Sequence, residues 1–87
     1  MTAHQESRPV LYSKPGCFGC RKTLEKFREA GIEPQVEDIT TNPAALEYVT
    51  EELGYSQAPV VVIDDEFHWS GLNPAKIEQA IHSLARA

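Results

Sequence analysis

The run Pro59-Val60-Val61-Val62-Ile63 limits the possible folds of this chain more than any other stretch. Five residues are too few for a helix, and β-branched side chains are stiff in one but fit a pleated strand well. Because the run is apolar on both faces, the strand must be covered on both, which places it inside a sheet. Proline is tolerated at its first position, where no ladder hydrogen bond need be donated.

The other segments supply partners and cover for that strand. Pro9-Val10-Leu11-Tyr12 is a short apolar run closed by the turn signal Ser13-Lys14-Pro15-Gly16, so it reads as strand then loop. From Cys17 the period changes. Cys20, Leu24, Phe27 and Gly31 follow helical spacing with charges on the opposite side, and Gly31 suits the stop. Residues 33–39 read as extended, with Ile32, Pro34 and Val36 alternating with polar residues. Asn42 is the expected cap of a second helix with Pro43 in its first turn. Leu46, Val49 and Leu53 form its expected buried stripe, and Gly54 its end. Asp64-Asp65 turns the chain, Phe67-His68-Trp69 returns as the hairpin partner, and Ser70-Gly71 breaks it. Asn73-Pro74 opens a last helix with Ile77, Ile81 and Leu84 facing inward. Tyr48 and Tyr55 read as packing residues.

The order β-α-β-α-β-β-α predicts an α/β protein: a mixed four-stranded sheet with three helices on its faces. With 87 residues, one domain is expected over residues 9–87, after a short disordered leader over residues 1–8.

The net charge of −5 argues against nucleic acid and anionic membranes as partners. The charge is unevenly spread. Arg8, Lys14, Arg21, Lys22, Lys26 and Arg28 crowd the first third, and acidic residues dominate beyond it. That cluster is either a solvated helix face or an electropositive rim around the cysteines. The N-terminal MTAHQESRP has no apolar signal core, and no stretch nears the roughly 20 apolar residues of a membrane span. A cytoplasmic location is therefore expected, and the chain is taken to be a monomer.

Cys17 and Cys20 are the only cysteines, and three readings compete for them. As a structural staple they would close a four-residue ring worth about 2 kcal/mol, against about 3 for a fifteen-residue loop. As a zinc clip they lack a second pair, and His4, His68 and His82 do not have ligand spacing. No metal site is expected.

As a redox tool the pair is well placed, because Cys17 falls where a loop enters a helix and Cys20 lies one turn later. The first turn of a helix carries unpaired N–H groups and partial positive charge, which favour a thiolate at Cys17, and Lys14 adds a nearby cation. Cys17 is then the attacking sulfur and Cys20 the resolving one. A fall in thiol pKa from about 8.5 to about 7 raises the thiolate fraction some 15-fold at pH 7, but dulls the nucleophile about fivefold. The larger advantage is a good leaving sulfur, with Cys20 held at high effective concentration. Phe18 and Gly19, between the cysteines, tune the redox balance.

Ala58-Pro59 precedes the apolar strand and is either a trans strand start or a cis peptide. In the cis form the Ala58 backbone would face the cysteine loop and could pair with an extended substrate segment. Trp69 is either core or part of a docking surface at a strand end.

The segments "LYSKPGCFGC", "VEDIT", "LGYSQAPVVV" and "HWSGLNPAKIEQAI" together resemble the glutaredoxin-like branch of the thioredoxin superfamily, and within it the NrdH-type redoxins. The likeness runs from about Val10 to about Ile81. It implies a thioredoxin fold with a cis-proline at Pro59, Cys17 as nucleophile, Cys20 as resolving cysteine, and Lys14 as the lysine before the active-site loop. Trp69, Ser70 and Gly71 match a motif that shapes the surface beside the disulfide. The implied activity is dithiol–disulfide exchange with no bound cofactor beyond the Cys17–Cys20 pair. Electrons would come from NADPH through thioredoxin reductase and pass to class Ib ribonucleotide reductase or another disulfide-bearing protein. Phe18-Gly19 and Leu72-Asn73-Pro74 depart from the residues common in NrdH proteins. "WSGLNP" stands where glutathione-using glutaredoxins carry their tripeptide-binding stretch, which argues against the alternative, a glutaredoxin dependent on glutathione or another low-molecular-weight thiol. A general protein disulfide reductase is a further alternative, and a non-enzymatic binding or metal-sensing module that uses the fold without turnover is another.

Overall fold

The computed structural model describes residues 8–85. The expected leader over residues 1–8, with His4, lies outside the described residues apart from Arg8. Strands β1 (Val10–Ser13), β2 (Gln35–Asp38), β3 (Val60–Asp64) and β4 (Phe67–Ser70) form one sheet in the order β2-β1-β3-β4. β1 pairs parallel with β2 and antiparallel with β3, and β3 pairs antiparallel with β4. The parallel pair needs a crossover, which helix α1 (Phe18–Glu29) supplies. Helices α2 (Pro43–Glu47) and α3 (Pro74–Ala85) complete the expected β-α-β-α-β-β-α order.

The valine run occupies the interior position predicted for it. One row of paired residues crosses the sheet as Val36, Leu11, Val61 and Trp69. The last three are buried with Phe27 of α1 and with Ile77 and Ala80 of α3 in a single core cluster. On the opposite face, the Tyr12 ring meets Tyr48 at 5.7 Å between centroids. There Val60, Ala45 and Val49 are buried.

The local signals act as expected. α1 ends where Gly31 takes φ 79°. There the N–H groups of Gly31 and Ile32 return to the carbonyls of Arg28 and Phe27, both at 2.9 Å, a Schellman closure that only a residue free of Cβ adopts without strain. Asn42 Oδ1 accepts the Ala45 N–H and Asn73 Oδ1 the Lys76 N–H, capping α2 and α3. In the hairpin turn, Asp64 Oδ1 accepts the N–H groups of Glu66 and Phe67.

One expectation about burial fails, and one strand residue lies uncovered. Val36 shares a row with Leu11 but is 45% exposed, because β2 is an edge strand and the helical cover does not reach it. Leu46 is 43% exposed rather than part of a buried stripe. α2 is not one regular helix: after Glu47 it widens into a π-helical turn, Tyr48–Glu52, closed by Leu53 N–H on the Tyr48 carbonyl at 3.0 Å. Ala45 and Val49 are the buried pair, and Leu53 is half-buried.

Candidate active site

The loop from β1 turns at Gly16, with φ 72°, and delivers Cys17 to the N-cap of α1. The cap residue is extended, with φ −97° and ψ 109°, and its Sγ accepts the Cys20 N–H at 3.1 Å. A sulfur thus stands where Ser, Thr, Asp or Asn would place an oxygen. Cys17 and Cys20 are joined by a disulfide with Cα atoms 5.2 Å apart, within the normal range for such a bridge. The two sulfurs differ in access: Cys17 is half-buried and Cys20 only 5% exposed. Spacing and capping alone produce this asymmetry, because residue 20 lies one turn inside the helix on its inward face.

Thr23 is fully buried and donates its hydroxyl to the Gly19 carbonyl at 2.7 Å, fixing the turn that holds both cysteines. The sequence reading missed it. The signal was a threonine four residues after Gly19 on the Cys20 face, a spacing at which Ser and Thr bond back to the preceding turn.

A second segment closes on the first. The Ala58–Pro59 peptide is cis, as the resemblance implied, and Pro59 is buried. A Cβ on Gly19 would lie 3.1 Å from Pro59 Cδ and 3.4 Å from Leu72 Cβ. Gly19 therefore lets both side chains press against the cysteine turn. Phe18 and Leu72, exposed by 59% and 42%, give the site an apolar border, and the Arg21 guanidinium lies 5.7 Å from the Phe18 ring centre. Exposed Lys14 lines a cleft with Cys17, Cys20, Arg21 and Val36, and a second cleft with Leu46, Gln57 and half-buried Ala58.

Other expected site residues take different places. Trp69 is only 4% exposed and packs on Phe67 at 5.4 Å between ring centres. It is core, not a docking surface, because its position on β4 points it at the row of Val61 and Leu11. Ser70 and Gly71 stand behind the site: Ser70 Oγ donates to the Gln57 carbonyl and the Gly71 N–H to the Pro59 carbonyl, each at 2.7 Å. Of the basic cluster, Lys14 and Arg21 border the cysteines. Lys22 and Arg28 pair with Glu25 and Glu33 on the solvated side of the fold. Among the described residues no group of three or more His, Cys, Asp or Glu side chains is placed to hold a metal ion. No helix among them is long and apolar enough to cross a membrane.

The glutaredoxin family profile matches residues 10–68 of this chain. The chain belongs to the glutaredoxin family. With its disulfide at a helix N-terminus, this glutaredoxin is a thiol–disulfide oxidoreductase of thioredoxin-like fold. It superimposes on the NrdH-redoxin of Escherichia coli, described as glutaredoxin-like with a thioredoxin-like activity profile, with a TM-score of 0.76 at 28% identity. That match covers 83% of this chain and 92% of the other. The glutaredoxin of Archaeoglobus fulgidus matches with a TM-score of 0.74 at 25% identity, over 93% and 96% of the two chains. In sequence, this glutaredoxin is 35% identical over 72 residues to the Gene 56 proteins of Mycobacterium phages L5 and D29. The match covers 83% of this chain and 70% and 80% of theirs.

Proposed function

We propose that this glutaredoxin is an NrdH-like electron carrier, a cytoplasmic monomer recharged by thioredoxin reductase and discharged into ribonucleotide reductase. The observation that carries the redox part is the Cys20 N–H directed at Cys17 Sγ from 3.1 Å, on the more accessible of the two sulfurs. A backbone donor and the helix N-terminus stabilise negative charge on that sulfur. Cys17 is thus the nucleophile.

In the reduced protein the Cys17 thiolate attacks one sulfur of a client disulfide. A mixed disulfide forms, and the client's other sulfur leaves as a thiolate that takes a proton. Cys20, one turn behind, loses its proton and attacks Cys17 Sγ. The mixed disulfide breaks, the client is released as a dithiol, and the chain is left with the Cys17–Cys20 bridge. Two electrons have passed to the client, and NADPH restores them through the reductase. Phe18, Gly19 and Lys14 lie beside the exchanging sulfur, Pro59 presses on Gly19, and together with Ala58 they receive the client segment. Ser70 and Gly71 support that border from behind.

The NrdH-like assignment is supported by the likeness to the Escherichia coli redoxin. It is also supported by "WSGLNP", where Gly71 is followed directly by exposed Leu72 and the cap of α3 rather than by a tripeptide-binding stretch. NADPH oxidation in the presence of a disulfide client tests it. Thioredoxin reductase should sustain turnover, and glutathione with glutathione reductase should not. Turnover with glutathione alone overturns the assignment in favour of a glutathione-dependent glutaredoxin.

A further inference from the structure

Tyr55 does more than pack. Its hydroxyl lies 2.8 Å from His68 Nδ1 and 3.3 Å from the His68 carbonyl, and the two rings meet edge to face at 5.7 Å. Both residues are half-buried. Two residues further along each segment, Ser70 Oγ donates to the Gln57 carbonyl. Both bonds join residues thirteen apart, tying residues 55 and 57 to residues 68 and 70. A third tie, from Gly71 N–H to the Pro59 carbonyl, completes the seam. At its other end the loop is held by the Tyr55 N–H on the Val49 carbonyl at 2.9 Å.

A segment without strand pairing of its own is therefore held to β4 at alternate residues, mainly by side chains. The carbonyls on either side of Ala58 are both committed to β4. The Tyr55–His68 contact closes whichever of the two atoms carries the proton. With neutral Nδ1 the hydroxyl donates to the ring; with Nδ1 protonated, the ring donates to the oxygen and the hydroxyl can turn to the His68 carbonyl.

We propose that Tyr55, His68 and Ser70 are positioning residues that hold the 55–58 loop so that the Ala58 backbone is presented to an extended client segment beside Cys17. The proposal rests on the client-binding role assigned to Ala58 and Pro59 above. It adds that recognition of peptide disulfides is fixed from β4, independently of the reactivity of the sulfurs.

Tyr55→Phe and Ser70→Ala each remove one hydroxyl and no apolar bulk, and Ser70→Thr restores a hydroxyl. Each is assayed with a peptide disulfide and with hydroxyethyl disulfide, which has no backbone to pair. Tyr55→Phe and Ser70→Ala should each raise KM for the peptide about fivefold, the factor one net hydrogen bond is worth. kcat and the rate with hydroxyethyl disulfide should stay within about twofold, and Ser70→Thr should recover the wild-type KM. If the variants leave peptide KM unmoved, or slow both substrates equally, the clamp is overturned while the redox assignment stands. If wild-type protein reduces hydroxyethyl disulfide but no peptide disulfide, the client-binding reading fails and the clamp with it.

Discussion

Two segments meet at the disulfide, and they are built in opposite ways. The Cys17–Cys20 turn is local: its cap bond spans three residues, and its Thr23 brace spans four. The Ala58–Pro59 side is remote, held by bonds thirteen residues apart and by the contact of Pro59 with the turn at Gly19. The difference separates two properties of the protein. On the reading proposed above, reactivity of the sulfur comes from the first turn of one helix, and what may approach that sulfur is set by a loop whose shape depends on a neighbouring strand.

The most severe way to break the local half is Cys17→Ser, which should abolish reduction of both peptide and small disulfides in an NADPH-coupled assay. Cys20→Ser sharpens the comparison by leaving attack intact and removing release. A mixed disulfide with the client should accumulate, seen as the summed mass under non-reducing conditions, and multiple turnover should cease. If the trap forms with the Cys17 variant instead, the roles of the two sulfurs are reversed. Thr23→Val probes the brace without touching sulfur. It should cost about 0.5–1.5 kcal/mol in denaturant unfolding, the net worth of one hydrogen bond, while Thr23→Ser should cost less.

The smallest effect belongs to an exposed pair distant from both segments. Arg28 is bonded to Glu33 through contacts of 2.8–3.2 Å, which hold the Glu33 carboxyl below its ordinary value of 4.5. A carboxyl with a lowered folded pKa contributes stability above its unfolded value and loses it as pH falls through the folded value. Glu33→Gln should therefore shift the thermal midpoint slightly at neutral pH, and not at a pH below both values. High salt should shrink the shift, and disulfide reduction should be unaffected at every pH.

Several residues show how far the chain's own order of side chains reaches. The valine run, the Asn42 and Asn73 caps, the Gly31 stop and the Cys17–Cys20 pair act through neighbours a few positions away, so spacing and side-chain type were enough to place them. Leu46 was expected in a buried stripe and is exposed, because burial depends on what lies above a residue, and periodicity carries no information about a widened turn. Trp69 was left between core and surface because a strand end offers two sides, and only the register with Val61 and Leu11 chooses between them.

The sequence by itself determined the order of elements, the interior strand and the placement of a sulfur at a helix N-cap, because each follows from backbone preferences acting over one turn or one pleat. The tertiary structure decided the meeting of Gly19 with Pro59 and Leu72, and the tie of Tyr55 to His68. Those contacts join segments distant in the chain, and their partners exist only once the sheet has assembled.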